Sequence, residues 1–221
     1  MQLNGKALAR PAMLEEIQTF IQSPDQGDAV VSVREVSRVG DAADLTLDVC
    51  DCDSNEVLAS WVIRSEGVRD LVVVDWSGNL TIEPFGHVAI RQHRDPHRAV
   101  FFTGRPADPD VVIGRLWSRH RAVVGDWIPF ERYMNSLCEL RDLLMAGAGK
   151  ICDGPNFLVE CYAEVLGQSG VKASLGDLRP TKVWANGGWL ETAVDLGMIT
   201  IDRSFVVAER FMELRKTGNA G

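Results

Sequence analysis

The sequence contains no run of about 18 apolar residues, the length that a membrane-spanning helix requires. Residues 1–13 carry a few basic side chains but lack the apolar run of a signal peptide. Five cysteines, an odd number scattered along the chain, do not suit a disulfide framework and favour a reducing compartment. These absences predict a cytoplasmic protein without a membrane segment.

Positive charge is also scarce. The 221 residues include 23 Lys and Arg against 31 Asp and Glu, a formal net charge of −8. A protein that binds nucleic acid must neutralise phosphates with a basic surface, so this balance argues against general nucleic-acid binding. Apolar residues make up 46% of the chain, enough for a substantial core.

Three motifs of common enzyme sites are missing. There is no G-x-S-x-G nucleophile turn. The glycines before Lys150 do not make a phosphate loop, because Ile151 stands where that loop needs Ser or Thr. No set of His, Cys and carboxylate residues has the spacing of a metal site. The sequence therefore predicts no cofactor and no metal.

The residues before position 107 have the pattern of strands. Leu45, Leu47 and Val49 alternate with polar residues, which predicts a strand with one buried and one solvent-facing side. The run 71–76, LVVVDW, is apolar on both sides and predicts a central strand. Short turns predict an antiparallel meander of about five or six strands, preceded by an amphipathic helix at residues 11–21.

The residues after position 107 have the pattern of helices. A helix that begins after Asp108 and ends at Gly125 places a set of residues on one buried face: Ile113, Leu116, Trp117, His120 and Val124. Further helices are predicted from Asp126 to the glycines at 147–149, from Pro155 to Gly167, within 181–197, and from Ser204 to Arg215. The predicted fold is α+β, with an N-terminal helix and antiparallel meander (residues 1–106) followed by an α-helical lobe (residues 107–221).

Charge is segregated along the sequence. Residues 85–121 hold all four histidines and seven arginines against three aspartates, whereas residues 41–56 hold six acidic residues and no cation. Guanidinium groups pair bidentately with carboxylates and phosphates. The candidate contacts for an anionic ligand or an acidic partner are therefore His87, Arg91, Arg94, Arg98 and Arg105. Alternatively, the two segments neutralise each other or face water.

His93, Asp95 and His97 are the candidates for catalysis, because a carboxylate can orient a histidine that acts as a general base. They are poor candidates for a metal site, because Pro96 interrupts the helical spacing of the two histidines. His120 lies on the apolar face of the helix that follows Asp108. We expect it in the core, with its ring bonded to a backbone carbonyl group.

These observations favour a non-catalytic protein-interaction module that binds an acidic protein surface, and they leave homodimer formation open. The alternative is a hydrolase or small-anion-binding enzyme that uses residues 87–105 in a cleft between the lobes. Residues 155–207 also resemble a winged helix, in which a helix runs into Leu-Gly-x-Ile and a β-wing. That resemblance implies DNA binding, but the predicted DNA-reading helix has just Lys182 nearby, with Arg179 and Arg203 at its edges, too few cations for a duplex.

Overall fold

The computed structural model describes residues 14–23, 28–83, 85–185, 188–191 and 195–216. The chain forms two compact units, one from residues 1–85 with 195–221 and the other from residues 86–194. Each unit has its own hydrophobic core. The predicted division into lobes at residues 1–106 and 107–221 stays a prediction.

Helices and strands are mixed along the chain, and the paired strands are antiparallel, so the predicted α+β class is confirmed. In chain order the elements are α1 (Glu15–Ile21), β1 (Ala29–Val39), β2 (Ala42–Asp51), β3 (Val57–Glu66), β4 (Asp70–Val72), β5 (Ser77–Gly78), β6 (Leu80–Glu83), α2 (Val88–Arg94), β7 (His97–Thr103), α3 (Pro109–Val124), a 3₁₀ helix (Phe130–Tyr133), α4 (Leu140–Ala146), β8 (Ala148–Pro155), α5 (Asn156–Gln168), β9 (Lys172–Leu175), β10 (Lys182–Ala185), β11 (Gly188–Glu191), β12 (Gly197–Ile201), β13 (Ser204–Ala208) and β14 (Arg210–Lys216).

The first unit contains two sheets that share one core. One sheet has the order β14-β3-β2-β1-β5 and the other the order β4-β13-β12-β6. The hairpins that join β1, β2 and β3 confirm the predicted start of the meander, with Leu47 opposite both Val33 and Trp61. The predicted polar side of β2 is less solvent-exposed than expected: Asp48 is 8% exposed, because neighbours on both flanking strands cover it.

The meander does not continue as predicted. Residues 71–76 do not form a central strand, because β4 ends at Val72 and lies at an edge of its sheet. The strands predicted at 71–76 and after the turn at 77–79 do not pair with each other either: β4 pairs with β13, and β6 pairs with β12. An apolar run indicates burial but does not determine which partner strand covers it.

The predicted α-helical C-terminal lobe is wrong. Residues 204–215 form β13 and most of β14, and β14 pairs with β3 along its length. All five residues of β13 are buried, which is typical of a strand covered on both faces. The described part of 181–197 also contains strands, because β10 and β11 pair with Lys182 opposite Glu191. The helix required by the winged-helix resemblance is therefore not formed at 182–185 or 188–191.

The second unit packs helices against the sheet β8-β7-β9. Helix α3 follows its prediction closely: the side chain of Asp108 accepts hydrogen bonds from the backbone N–H groups of Asp110 and Val111, and the helix ends at Gly125. Leu116, His120 and Val124 are buried. Trp117, predicted on the buried face, is 50% exposed.

The helix predicted from Asp126 is wrong. The 3₁₀ helix and α4 occupy the segment separately, and the glycine-containing residues 148–150 begin strand β8. Helix α5 confirms the helix predicted after Pro155. The predicted N-terminal helix is confirmed over Glu15–Ile21, while residues 11–13 lie outside the described part of the chain. No helix in the described ranges is long and apolar enough to cross a membrane.

Candidate functional site

The residues predicted for binding or catalysis lie on α2, on β7 or within two residues of their ends, in the second unit. Residues 88–94 form helix α2, with Ala89, Ile90 and Gln92 buried. His87 is the N-cap, and its Nδ1 accepts a hydrogen bond from the backbone N–H of Ala89 at 3.2 Å. The ring of His87 also makes an edge contact with Trp127, with ring centroids 4.7 Å apart. His87 therefore stabilises the start of α2.

Asp95 holds two arginine side chains. Its carboxylate accepts a hydrogen bond from Arg91 Nε at 2.9 Å, and Arg94 Nη2 lies 3.4 Å from its other oxygen. The guanidinium of Arg91 also lies 4.2 Å above the ring centroid of Phe157, a cation–π contact. The side chain of Arg91 is still 34% exposed and that of Arg94 is 37% exposed. Asp95 thus positions two guanidinium groups that still face solvent.

His97 is bonded to the backbone of α2. Its Nε2 lies 2.9 Å from the carbonyl oxygen of Gln92, and because a carbonyl oxygen only accepts, Nε2 carries the proton. The side chain of buried Gln92 donates to Ala89 O and accepts from the Tyr133 hydroxyl at 3.0 Å. These contacts give His97 a structural role and show the carboxylate of Asp95 bound to arginines. Catalysis by His93, Asp95 and His97 stays a prediction.

Arg98 points into the second unit, where its Nε and Nη2 donate to the carbonyl oxygen of Gly176 at 3.0 and 2.9 Å. Its Nη1 donates to Asn156 Oδ1 at 3.1 Å, and the side chain is only 18% exposed. Arg105 is exposed and packs against Gly147, where an added Cβ would lie 2.8 Å from Arg105 Cγ. The five predicted binding residues therefore do not form one surface: Arg98 joins β7 to the segment after β9.

The structure adds a cation that the sequence analysis did not assign to this site. Arg179 pairs through its backbone with His97, and its side chain, 57% exposed, binds Asp153. Lys150 lies 3.6 Å from the same carboxylate. Arg179 lies 85 residues after Arg94, the last residue of α2, so only the pairing of distant segments places it here.

The acidic segment 41–56 is bonded within the first unit. Asp44 receives two hydrogen bonds from Arg64, which hold the pKa of Asp44 below its usual value. Asp48 accepts from Ser60 and lies 3.4 Å from Arg34. Asp51 accepts from the backbone and hydroxyl of Ser54 in the hairpin turn, which lowers the pKa of Asp51. Three of the six acidic residues of this segment are therefore bonded to partners in the adjoining turn or the neighbouring strands.

Net charge differs sharply between the units. Residues 1–85 and 195–221 hold 10 Lys and Arg against 19 Asp and Glu, a formal charge of −9, whereas residues 86–194 hold 13 against 12, a formal charge of +1. The negative excess of the protein therefore belongs to the first unit. The second unit, by contrast, is close to neutral.

His120 is buried in the core of the second unit, as predicted, and is 1% exposed. Its Nε2 donates to the carbonyl oxygen of Ile128 at 2.6 Å, so Nδ1 accepts a hydrogen bond from the Tyr162 hydroxyl at 2.7 Å. Burial lowers the pKa of His120 and raises the pKa of Tyr162, so both groups stay neutral. The arrangement satisfies both ring nitrogens and gives His120 a structural role.

No group of three or more His, Cys, Asp or Glu side chains suited to a metal ion occurs in the described ranges. Comparison with known proteins finds no matching family model, no matching curated protein and no matching solved structure.

Proposed function

We propose that this protein is a non-catalytic interaction module that binds an acidic protein surface through the cations beside α2. The observation that carries the proposal is the arrangement of Arg91 and Arg94, two partly exposed guanidinium groups held by the single carboxylate of Asp95. Exposed ion pairs of this kind contribute only about 0–1 kcal/mol to stability. We therefore infer that the two arginines serve recognition and contribute little to the free energy of folding.

The geometry favours carboxylate as the group recognised. A guanidinium has five N–H donors in a planar fork that matches a carboxylate, and Arg91 gives one of them, at Nε, to Asp95. Stacking on Phe157 restricts the side chain of Arg91 before any partner arrives, which reduces the entropy lost on binding. Arg179, also exposed, adds a cation on the adjoining segment.

The rival function, hydrolysis or small-anion binding by the same stretch, is supported less well. His97 Nε2 and the Asp95 carboxylate, two groups on which it would rely, make the structural bonds described above. Arg98, which would bind the anion, is committed to Gly176 and Asn156.

The test is binding of a fluorescein-labelled Glu-rich peptide, followed by anisotropy at low and high salt. Arg94→Glu should weaken binding at least about tenfold, equivalent to ~1.4 kcal/mol. Wild-type binding should weaken as salt rises, because exposed charges are screened over about 10 Å at 0.1 M salt.

The matched control is Arg38→Glu, the same charge change at an exposed position of the first unit. It should leave peptide affinity nearly unchanged. Equal losses in the two variants would show a general charge effect, and binding that ignores salt would show that the arginines are not the contact. Either result would refute the proposal.

A further inference from the structure

Two neighbouring strands of the first unit enclose the second unit in the sequence. β6 and β12 pair antiparallel, with Glu83 opposite Met198 and Leu80 opposite Ile201. Residues 86–194, which form the second unit, lie between these two strands in the chain. Opposite residues of an antiparallel pair have Cα atoms only about 4.5–5.5 Å apart. The chain therefore leaves the first unit and returns to it at neighbouring positions, so the second unit takes the place of a hairpin loop.

The first unit is built from segments on both sides of the second unit. β12 and β13 pair with each other and with β6 and β4, and β14 pairs with β3 from Arg210 to Lys216. The buried core cluster of this unit draws its described members from residues 14–82 and 199–211. Neither the two sheets nor this core cluster includes a described residue of 86–194. The first unit thus has its own sheets and its own core.

The second unit is complete in the same sense. β7 pairs with β8 and β9, and β10 pairs with β11. Its core cluster draws its described members from residues 88–173. Contacts between distant segments, such as the His120–Tyr162 hydrogen bond and the bonds from Arg98 to Gly176, join its helices and strands. Domains most often contain about 100–150 residues, and the second unit is of this size.

We propose that the second unit is a domain inserted into the β6–β12 hairpin, and that each unit opens without the other. Each unit buries its own apolar side chains, so loss of one core leaves the contacts within the other core intact. When the second unit opens, β6 and β12 hold the ends of a flexible loop together. The entropy cost of closing such a loop grows only slowly with its length, and the pairings of β12, β13 and β14 with earlier strands oppose it.

The inserted domain also carries the proposed binding surface, because Arg91, Arg94 and Arg179 all belong to residues 86–194. A partner that binds there acts on a domain whose opening is separate from that of the first unit. The separate opening of the two units requires nothing from the role of these arginines.

The experiment is native-state amide hydrogen exchange of the full chain, read by mass spectrometry on the most protected peptides of each unit. Val112→Ala deletes buried methyl groups from the core of the second unit. Such deletions destabilise a core, so exchange in α3, α5 and β7 should rise roughly tenfold. Peptides from β2, β3 and β13 should stay within about twofold of wild type, because distant sites without shared partners act independently.

Val49→Ala is the matched variant, since it makes the same change in the core of the first unit. Exchange should rise roughly tenfold in β2 and β3 and also in β12 and β13, which follow the second unit in the sequence. Exchange in α3 and α5 should stay within about twofold of wild type. Ile151→Val in the second unit and Ile63→Val in the first repeat the comparison with a smaller change.

Equal rises in both units after either valine substitution would overturn the proposal, because the chain would then open as one cooperative unit. A rise in β12 and β13 after Val112→Ala but not after Val49→Ala would also overturn it, because these strands would then open with the second unit. The experiment uses no ligand, so a failure of the proposed function would leave its outcome unchanged.

Discussion

Replacing His120 with glutamine should make the stability of the second unit less sensitive to acid. In the folded unit, burial lowers the pKa of His120, and the ring is neutral with Nε2 bonded to Ile128 and Nδ1 bonded to Tyr162. In the unfolded chain a histidine has a pKa of about 6.5. Below that pH the unfolded chain binds a proton that the folded unit does not bind.

This difference in proton binding determines the sign of the effect. Because the unfolded state takes up the proton first, the free energy of unfolding falls as pH decreases from about 6.5 toward the lowered pKa of the folded state. The largest slope that one histidine can contribute is about 1.4 kcal/mol per pH unit. The contribution is absent above about pH 7, where His120 is neutral in both states.

His120→Gln removes the titration but can keep both hydrogen bonds, since an amide donates through nitrogen and accepts through oxygen. The wild-type free energy of unfolding should therefore fall more steeply below about pH 6.5 than that of the variant. Tyr162→Phe is the companion variant: it leaves the buried Nδ1 without its donor and should cost about 1–3 kcal/mol at pH 7.

The assay is native-state amide hydrogen exchange, read by mass spectrometry on peptides from α3 and α5 between pH 5 and 7.5 and corrected for the intrinsic exchange rate at each pH. It reports the opening of the second unit separately from the first. Parallel pH curves for wild type and His120→Gln would refute the reasoning, because they would show that His120 binds protons equally in the folded and unfolded states.

Further variants test backbone and capping contacts. Gly125→Val should lower the free energy of unfolding by roughly 1–3 kcal/mol in denaturant melts, because Gly125 has φ +59° and ψ −134°, a region open almost only to glycine. A variant as stable as wild type would contradict this expectation. Asp108→Ala should cost about 0.5–2 kcal/mol through loss of the α3 N-cap, and Asp108→Asn should restore most of it. Arg98→Met should destabilise the second unit by about 1–3 kcal/mol by leaving the carbonyl of Gly176 without its donors; unchanged exchange in β7 and α5 would contradict that role.

Several features followed from the sequence because local contacts determine them. The cap at Asp108 and the end of α3 at Gly125 depend on residues a few positions apart. The hairpins of β1, β2 and β3 depend on alternation and short turns. His120 was predicted correctly because its position on the apolar face of α3 implies burial, and a buried imidazole needs hydrogen-bond partners.

Other features depended on contacts between distant parts of the chain. Ser204 followed by apolar residues suits either a capped helix or a buried strand, and only pairing with β12 and β4 makes 204–208 a strand. Trp117 was predicted on the buried face of α3 from its helical position, but it is half exposed. The buried face of α3 is the one that packs against α5, and the sequence of α3 alone does not determine which face that is.

The candidate site shows the same division. The sequence identified the arginines of 91–98 as an unusual basic cluster, but composition does not tell an exposed guanidinium from one that holds the fold together. Arg98 became structural because the chain after β9 brings the carbonyl of Gly176 to it, and Arg179 joined the cluster through pairing with His97. The sequence by itself determined which side chains could bind an anion. Pairing between distant strands and segments decided which of these side chains face solvent, because burial and hydrogen-bond partners depend on segments that the local sequence does not specify.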